Sequence, residues 1–548
     1  MNFALRKVGY EKLVIIFLTV LYLVGVWYGF PSTSIVFDEM FPGSVLRAMS
    51  SLSFLPQGTD VLYGTVTYFL NYLFIAPVVF IVGLLNGLNA SDTKLFFIEN
   101  TWSIYLIARL VSVASVVCIM LWVRDILVIT GSATLHRIIV IVLTMSNLIV
   151  FTTFHTSKVW VVTCALLVGS LRYFLLALTQ NKNSNHFLCG AFIFSAIATA
   201  NFPLAGVFSV TLTCWVAYLI YQKRIDMPGV SFLRVIMVSA VITVGIILLN
   251  WNGVLAQLKS IVFDYTLSNT AQATNLSILE SFNVNIIKLF LVAPLIVAAH
   301  TVSVFFRSKK KTSIDSLSDL GAFWYLLLIN CFVYFITIVI IARWSLSPEA
   351  YLRYIIPVCL LAGISLGMYV IADKYDRVFH ALGIVLCTVS LIYTARSSWL
   401  LSIPTTYNIA VQKIVGLDQG SDMVIINNVS PLLSLKQSTT SYEFNKHNKN
   451  YICGTRCQVA LDQNLRYPAS GKYQDFSGIF IEGYLAGSQD LLKDNAIDGK
   501  QVVELNTKRE GKPFSVGGGM ELEDIGSYFS VTFWGLERLG KNIYSIRK

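Results

Sequence analysis

Apolar and polar positions divide the chain into two regions of different rhythm. Up to residue 396 it is a series of long apolar runs, near 13–30, 103–123, 138–154, 159–179, 187–201, 203–221, 232–250, 285–305, 321–342, 354–372 and 378–396. A helix needs roughly 17–25 such residues to cross a bilayer, so the pattern predicts about eleven transmembrane helices. The two runs around 200 are short and meet at Asn201-Phe202-Pro203. One further apolar segment, Tyr63–Leu88, can span or lie at the interface. From 397 onward, polar stretches alternate with short β-like runs such as Met423-Val424-Ile425-Ile426 and Gly478-Ile479-Phe480-Ile481. The end, Tyr528–Trp534 then Asn542–Ile546, reads as a hairpin around Leu539-Gly540-Lys541. The expected fold is a polytopic α-helical membrane protein with juxtamembrane helices (1–396) followed by a small α/β soluble domain (397–548). A tail of roughly 150 residues is large enough to bury a core.

Composition changes this picture only in detail. Of 548 residues, 55% are hydrophobic and 13% charged, half the charged share of about 25% found in soluble domains. The net charge is +11, but residues 397–548 hold 16 Lys+Arg and 15 Asp+Glu, leaving 25 against 15 in the first 396. That excess fits cytoplasmic loops. The charges are scattered singly between apolar runs and form no stripe, which argues against a nucleic-acid surface.

Loop charge also sets a topology. With the N-terminus cytoplasmic and 63–88 not fully crossing, the cytoplasmic loops carry Arg124, Arg137, Lys182, Lys223, Arg224, Arg307, Lys309, Lys310, Lys311, Lys374 and Arg377. Over the same region, after residue 102, the outer loops carry only Lys158, Lys259, Arg343 and Arg353. A crossing at 63–88 would reverse the bias. The expectation is therefore N-in and C-out, with 63–88 an interfacial or re-entrant pair of helices. The outer side then receives 31–102, 251–285, 342–353 and the tail. The run Leu13–Phe30 is long for a signal peptide and no small-residue cleavage site follows it, so it reads as a retained first helix. Lys309-Lys310-Lys311 reads as a solvated topology anchor.

Seven of the nine cysteines (118, 164, 189, 214, 331, 359, 387) lie in apolar runs and read as small buried hydrophobes. Cys453 and Cys457, in Cys453-Gly454-Thr455-Arg456-Cys457, are placed for a local disulfide in an oxidising compartment. A metal site there would need two more ligands.

The most informative chemistry is Asp38-Glu39, just past the first span. Adjacent carboxylates at a bilayer surface cost desolvation unless a cation or a proton compensates. A general base acting on an acceptor hydroxyl must be an anion held near this boundary, and a divalent cation bridging to a phosphate needs the same. The plain alternative is two solvated loop residues. Gly43–Leu52, with Arg47, has the spacing of a helix lying on the membrane. Tyr63-Gly64-Thr65-Val66-Thr67-Tyr68 then opens the ambiguous segment, and Ala108-Arg109-Leu110 starts the next span.

In this order the motifs resemble the GT-C superfamily of glycosyltransferases, in particular the protein O-mannosyltransferase and lipid A aminoarabinose transferase group. Those enzymes have a first span, an outer loop with an acidic D-E pair, juxtamembrane helices and a span opening with Arg-Leu. Short outer turns match at Thr153–Val159 and Ala200–Pro203, and Tyr351-Leu352-Arg353-Tyr354-Ile355-Ile356-Pro357 looks like the R-Y-x-x-P opening of a late span. The resemblance covers the whole chain in layout but only short motifs in residues. It implies that Asp38 is the catalytic base on the acceptor, with Glu39 its partner in base positioning or metal binding. It places Arg353 and Tyr354 near the donor phosphate, where a guanidinium supplies paired donors and a permanent charge; interfacial snorkelling is the other explanation of Arg353.

The sequence also departs from that pattern. Where the family often has an Asp in the second outer turn, this chain reads Phe154-His155-Thr156-Ser157-Lys158. A second carboxylate is missing, so use of a divalent cation (Mg, Mn or Zn) is in doubt, with Glu39 or His155 the residues to hold one. Lys158 can contact the donor phosphate or snorkel, and His155 can act as ligand or relay or fill an interfacial position. The family's juxtamembrane helices are often entered by a Pro-Pro-Leu-Tyr-like stretch, and here the Pro-Pro before the tyrosine is absent, so acceptor specificity does not transfer; Tyr63 and Arg47 remain possible substrate contacts. The outer loop 251–285, with Asp264, Glu280 and Asn285, matches a loop that closes over the donor in the family.

The resemblance thus implies inverting transfer of a hexosyl or pentosyl unit from a polyprenyl-phosphate donor, undecaprenyl in a bacterial inner membrane. The acceptor it implies is an envelope glycan such as lipopolysaccharide, a lipid or a protein on the periplasmic side. A lipid or sugar transporter would tend to show inverted repeats and charged midplane sites, and neither is evident. An O-antigen ligase or polymerase is expected to have an outer loop rich in Arg and His, which 251–285 lacks. A non-catalytic envelope scaffold remains a third alternative.

Overall fold

A computed structural model of the protein describes residues 9–27, 41–58, 61–180, 184–259, 319–342, 356–367, 373–402 and six strands between 423 and 547. The helices are α1 (Tyr10–Leu23), α2 (Phe41–Ser50), α3 (Thr65–Leu85), α4 (Ala90–Glu99), α5 (Thr101–Ile129), α6 (Thr134–Met145), α7 (Leu148–Phe154), α8 (Val159–Thr179), α9 (Ser184–Asn201), α10 (Gly206–Tyr221), α11 (Gly229–Leu248), α12 (Trp251–Lys259), α13 (Asp319–Ala342), α14 (Ile356–Gly367) and α15 (Asp373–Ser402). Among the described residues, seven are long and apolar enough to cross a membrane: most of α3, α5, α8, α10, α11, α13 and α15. The protein is a polytopic helical membrane protein. The expected span at 285–305 and the loop 251–285 beyond Lys259 lie outside the described residues.

The chain separates into two compact units, one of residues 1–23, 40–74 and 109–398, the other of 24–39, 75–108 and 399–548. In the first, α8 is the central element, buried on nearly its whole circumference. That follows from a sequence apolar on every face. It packs antiparallel to α9, where Ser170 donates to the Ala191 carbonyl at 2.7 Å, and it also touches α13. Gly169 and Gly190 permit the approach: a Cβ at Gly169 would meet Phe194 and Trp122, and one at Gly190 would meet Tyr173. Helix α11 is the opposite case, apolar along 20 residues with none buried. A surface of that kind suits lipid and not water.

Two ends of this unit can be told apart by which residues meet. At one, Glu11 at the start of α1 meets Arg124 and Arg137. At the other, Tyr22 of α1 donates to the Met145 carbonyl at 2.7 Å and stacks on His155. Helices α1, α6 and α15 therefore run parallel, and Ser398 closes the set by donating to the Leu21 carbonyl at 3.0 Å. Helix α3 starts at the Tyr22 end, beside Asn201, whereas α5 runs toward the Glu11 end. The sequence predicts an interfacial or re-entrant pair of helices over 63–88. The segment 63–88 is nevertheless one 21-residue helix with Pro77 inside it, and not a pair. The second short helix of this region is α4, beyond Leu88.

Three expected spans differ in detail. The run 138–154 is two helices, α6 and α7, parted at Ser146–Asn147. Broken backbone at membrane depth needs other partners, and α15 supplies them: Ser390 and Thr394 hydroxyls donate to the Ser146 carbonyl at 3.0 and 2.9 Å. The last helix runs to Ser402, past residue 396, because Thr394 and Ser398 spend their hydroxyls on bundle carbonyls. The span containing Arg109 begins at Thr101, two turns before Ala108-Arg109-Leu110.

The second unit carries a mixed six-stranded sheet of β1 (Met423–Asn427), β2 (Tyr451–Cys453), β3 (Ser477–Ile481), β4 (Val502–Thr507), β5 (Glu521–Thr532) and β6 (Gly535–Arg547), ordered β2-β1-β3-β4-β6-β5. The first four pair in parallel; β4–β6 and β6–β5 are antiparallel. The terminal hairpin exists, but its connection is residues 533–534, and Leu539-Gly540-Lys541 lies within β6. Leu539 and Gly540 are the extra residues of a register shift, because Tyr528 pairs with Lys541 and Phe529 with Arg538. Glycine inside a strand marks a bulge as well as a turn. Cys453 ends β2, while Cys457 lies outside the described residues.

Helix α2 buries Phe41, Ser44, Val45 and Ala48 and exposes Arg47, the helical spacing anticipated for this segment. It ends in a left-handed turn at Leu52, with Ser53 N–H bonded to the Ala48 carbonyl at 2.9 Å. Gly64, at φ +83°, leads into α3, and a Cβ there would stand 2.5 Å from the Phe41 ring. Leu52→Gly should stabilise the protein by about 1 kcal/mol, since glycine bears the left-handed backbone without penalty. Gly64→Ala should destabilise it by about 2 kcal/mol, combining that penalty with overpacking. Thermal unfolding in one detergent checks both signs.

Candidate functional site

The elements that flank the carboxylate loop in sequence meet at the Tyr22 end of the first unit, and Asn201 joins them. Its Oδ1 accepts from Thr67 N–H at 2.9 Å and from the Thr67 hydroxyl at 3.1 Å. Its Nδ2 donates to Thr163 Oγ1 at 2.9 Å, and its carbonyl accepts from Gly64 N–H at 2.8 Å. One side chain at the end of α9 thus satisfies the open N-terminus of α3 and holds it against the first turn of α8. Asn250, at the end of α11, repeats the device by donating to the Val61 carbonyl at 2.7 Å. Aromatic packing fills the gaps: Phe202 sits 4.5 Å from Trp160 and 5.9 Å edge-on to Tyr63 between ring centroids. The stretch between α2 and α3 is pinned from α3, because Tyr68 donates to the Phe54 carbonyl at 3.2 Å and Tyr72 to the Ser53 carbonyl at 3.4 Å.

The sequence candidates fare differently. Tyr63, His155 and Lys158 are gathered at this end, and Arg47 is on the exposed face of α2. Lys158 is half-buried at the N-cap of α8 with extended backbone. His155 is buried against Tyr22 and Phe151, and its Nδ1–H donates to the Phe151 carbonyl at 3.1 Å. A carbonyl can only accept, so this bond assigns the Nδ1 proton. The ring caps the end of α7 and packs in an aromatic cluster with Tyr22 and Phe151. Among the described residues no three His, Cys, Asp or Glu side chains gather to hold a cation. Asp38, Glu39, Glu280, Arg353 and Tyr354 lie outside the described residues. In sequence, Asp38 and Glu39 stand three and two residues before α2, and Arg353 and Tyr354 stand three and two before α14.

Sequence reasoning passed over Asn201, Asn250 and Thr67 as site-building residues, although a carboxamide in an apolar run is a visible signal. It also took Arg109 only as the opening of a span. Arg109 is 1% exposed, among the largest fully buried side chains described. The fifteen residues to Arg124 amount to about 22 Å of helix, so it lies well away from the Glu11 end.

Pinned termini, a lysine and an aromatic floor at one end of a lipid-exposed bundle define the class of protein: a multi-pass membrane protein with a built polar face. The chain was compared with known proteins. It is similar over 97% of both lengths to the crystal structure of ArnT from Cupriavidus metallidurans, at 12% identity and TM-score 0.41 in the apo state and 10% and 0.43 bound to undecaprenyl phosphate. It is similar to the Archaeoglobus fulgidus oligosaccharyltransferase tethered with an acceptor peptide containing the NVT sequon, at 9% identity and TM-score 0.43, covering 86% of this chain and 62% of that one. No protein-family model and no curated protein matches the chain.

Asn201→Ala should leave Thr67 N–H buried without an acceptor and cost about 2–3 kcal/mol. Asn201→Asp keeps the acceptor but loses both Nδ2 donors and should lower stability less. Thermal unfolding of the two variants beside the native protein gives the order.

Proposed function

We propose that the protein is a membrane glycosyltransferase of the GT-C type, moving a sugar from a polyprenyl-phosphate donor to an envelope glycan, lipid or protein. The observation that carries this reading is the Asn201 clamp. It ties the segment following Asp38-Glu39 to the turns bearing His155–Lys158 and Phe202–Pro203, the same short motifs whose order resembles that superfamily. Fixed geometry where chain segments converge is what positional catalysis requires.

In this reading the N-terminus is cytoplasmic, and the Tyr22 end and the C-terminal domain face the periplasm of a bacterial inner membrane. The donor tail lies against the apolar bundle and its phosphate rests at the interface. The Asp38 carboxylate takes the proton of an acceptor hydroxyl or amine. The freed lone pair attacks the anomeric carbon from the face opposite the phosphate. The carbon–oxygen bond to phosphate breaks, and the phosphate leaves with the electron pair, so the configuration inverts. Glu39 orients the base, while Arg353, Tyr354 and Lys158 balance the charge growing on the leaving phosphate; preorganised cations aimed at such charge are a large catalytic term. Glu280, Tyr63 and Arg47 are substrate contacts in the same scheme. Glu39 or His155 would hold a divalent cation, which would supply positive charge beside the leaving phosphate.

Asp38→Asn should abolish transfer while the protein is still made and inserted. The expected result is the loss of one defined sugar from envelope glycans by mass analysis, with the lipid-linked donor accumulating. An unchanged glycan profile would overturn the assignment.

A further inference from the structure

At the Glu11 end, five charged side chains from four helices form one connected cluster. Glu11 Oε2 accepts from Arg124 Nε at 2.8 Å and Oε1 from Arg137 Nε at 2.7 Å. Asp125 Oδ2 accepts from Arg172 Nε at 3.0 Å, with Arg124 Nη1 3.6 Å from Oδ1. Three arginines against two carboxylates leave one positive charge. Arg137 is fully engaged, because its Nη1 donates to the Ser132 carbonyl and its Nη2 to Thr134 Oγ1. Arg124 and Arg172 are not: Arg124 Nη2 and both terminal nitrogens of Arg172 have no partner among the described residues. Their side chains are 29% and 26% exposed. Arg172 also lies over the Tyr173 ring, 5.7 Å from its centroid, which holds the guanidinium plane and leaves its edge open.

We propose that the open edges of Arg124 and Arg172 bind the phosphate of an anionic membrane lipid. The surface above them fits the rest of such a molecule. Beyond Trp102, the exposed positions of α5 are Leu110, Ala114, Cys118, Leu121 and Val128, a stripe at helical spacing that Asp125 interrupts near its lower end. Every one of these side chains is apolar or small, so the stripe offers a lipid tail no polar group to desolvate. From Leu110 to Leu121 it rises about 16 Å, a length over which a lipid tail can lie. A carboxylate in a lipid-facing stripe is costly unless neutralised, and here it doubles as the brace that aims both guanidiniums. Paired N–H donors match phosphate oxygens in number and geometry, and the single surplus charge matches a phosphodiester. Basic pockets between membrane helices take anionic headgroups by this chemistry. The donor site proposed above is at the other end of the bundle and is not involved.

The test uses full-length protein purified in detergent and exposed to phosphatidylglycerol, to phosphatidylcholine, or to inorganic phosphate, with retained molecules counted by native mass spectrometry. The native protein should retain phosphatidylglycerol over phosphatidylcholine, and millimolar inorganic phosphate should not displace it. The double variant R124Q/R172Q should lose about tenfold in retention, the equivalent of one to two charge-assisted hydrogen bonds. Asp125→Asn keeps one oxygen as acceptor in the brace while raising the surplus charge of the cluster from one to two, and should raise retention. It decides the matter if the double variant does not fold. Undiminished retention in R124Q/R172Q, unchanged or lower retention in Asp125→Asn, or displacement by inorganic phosphate would each overturn the lipid site.

Discussion

A carboxamide among apolar helices has to find partners for both its oxygen and its nitrogen, and the Tyr22 end of this bundle is organised around how Asn201 does so. Its oxygen takes two donors from Thr67 and its nitrogen donates to Thr163. These bonds form only if α3, α8 and α9 end at the same level, so one polar group sets the relative height of three elements. Asn250 extends the constraint to Val61. The aromatic rings around Phe202 then have little freedom left. In water each bond would be nearly neutral; shielded from it, an unmade bond carries the desolvation cost of the group.

The two ends of the first unit are built from different interactions. The Glu11 end is ionic, with arginines from α5, α6 and α8 converging on two carboxylates. Among the described residues the Tyr22 end is built from amides, hydroxyls and aromatic rings, with Lys158 at the N-cap of α8. Between them most contacts are apolar, with a few hydroxyl bonds between helices such as Ser170 to the Ala191 carbonyl at 2.7 Å and Ser195 to Ser209 at 2.5 Å. In the reading proposed above, transfer takes place at the Tyr22 end and the ionic cluster holds the other. Ions hold well beside lipid headgroups, whereas a substrate face benefits from groups that keep fixed positions without competing for charged ligands.

Much of this was legible in the sequence. The run 159–179 became α8 without adjustment, since a helix that is apolar all round has one stable environment. The helix expected over Gly43–Leu52 forms at Phe41–Ser50, because small and apolar residues recur at its spacing. Other features were misread for identifiable reasons. Ser146 looks like a tolerated serine inside a span, and its role as a break depends on hydroxyls 244 and 248 residues away. Gly540 looks like a turn and is a bulge, because the partner strand that shows the register is needed to tell the two apart. Arg109 looked terminal because charge was weighed and helix continuity was not.

Apolar periodicity by itself determined that the chain lives in a bilayer, roughly where its helices run, and that a polar tail follows. These are local properties: a stretch of about twenty apolar residues has no other good solvent, whatever its neighbours. The tertiary structure alone decided that Asn201 clamps three helices, that Ser390 and Thr394 serve the break at Ser146, and that Glu11 and Asp125 gather three arginines. Each of those depends on which polar groups from distant parts of the chain satisfy one another. Hydrogen bonds and ion pairs are directional and short in range, so their pairing is settled only when the helices are in place.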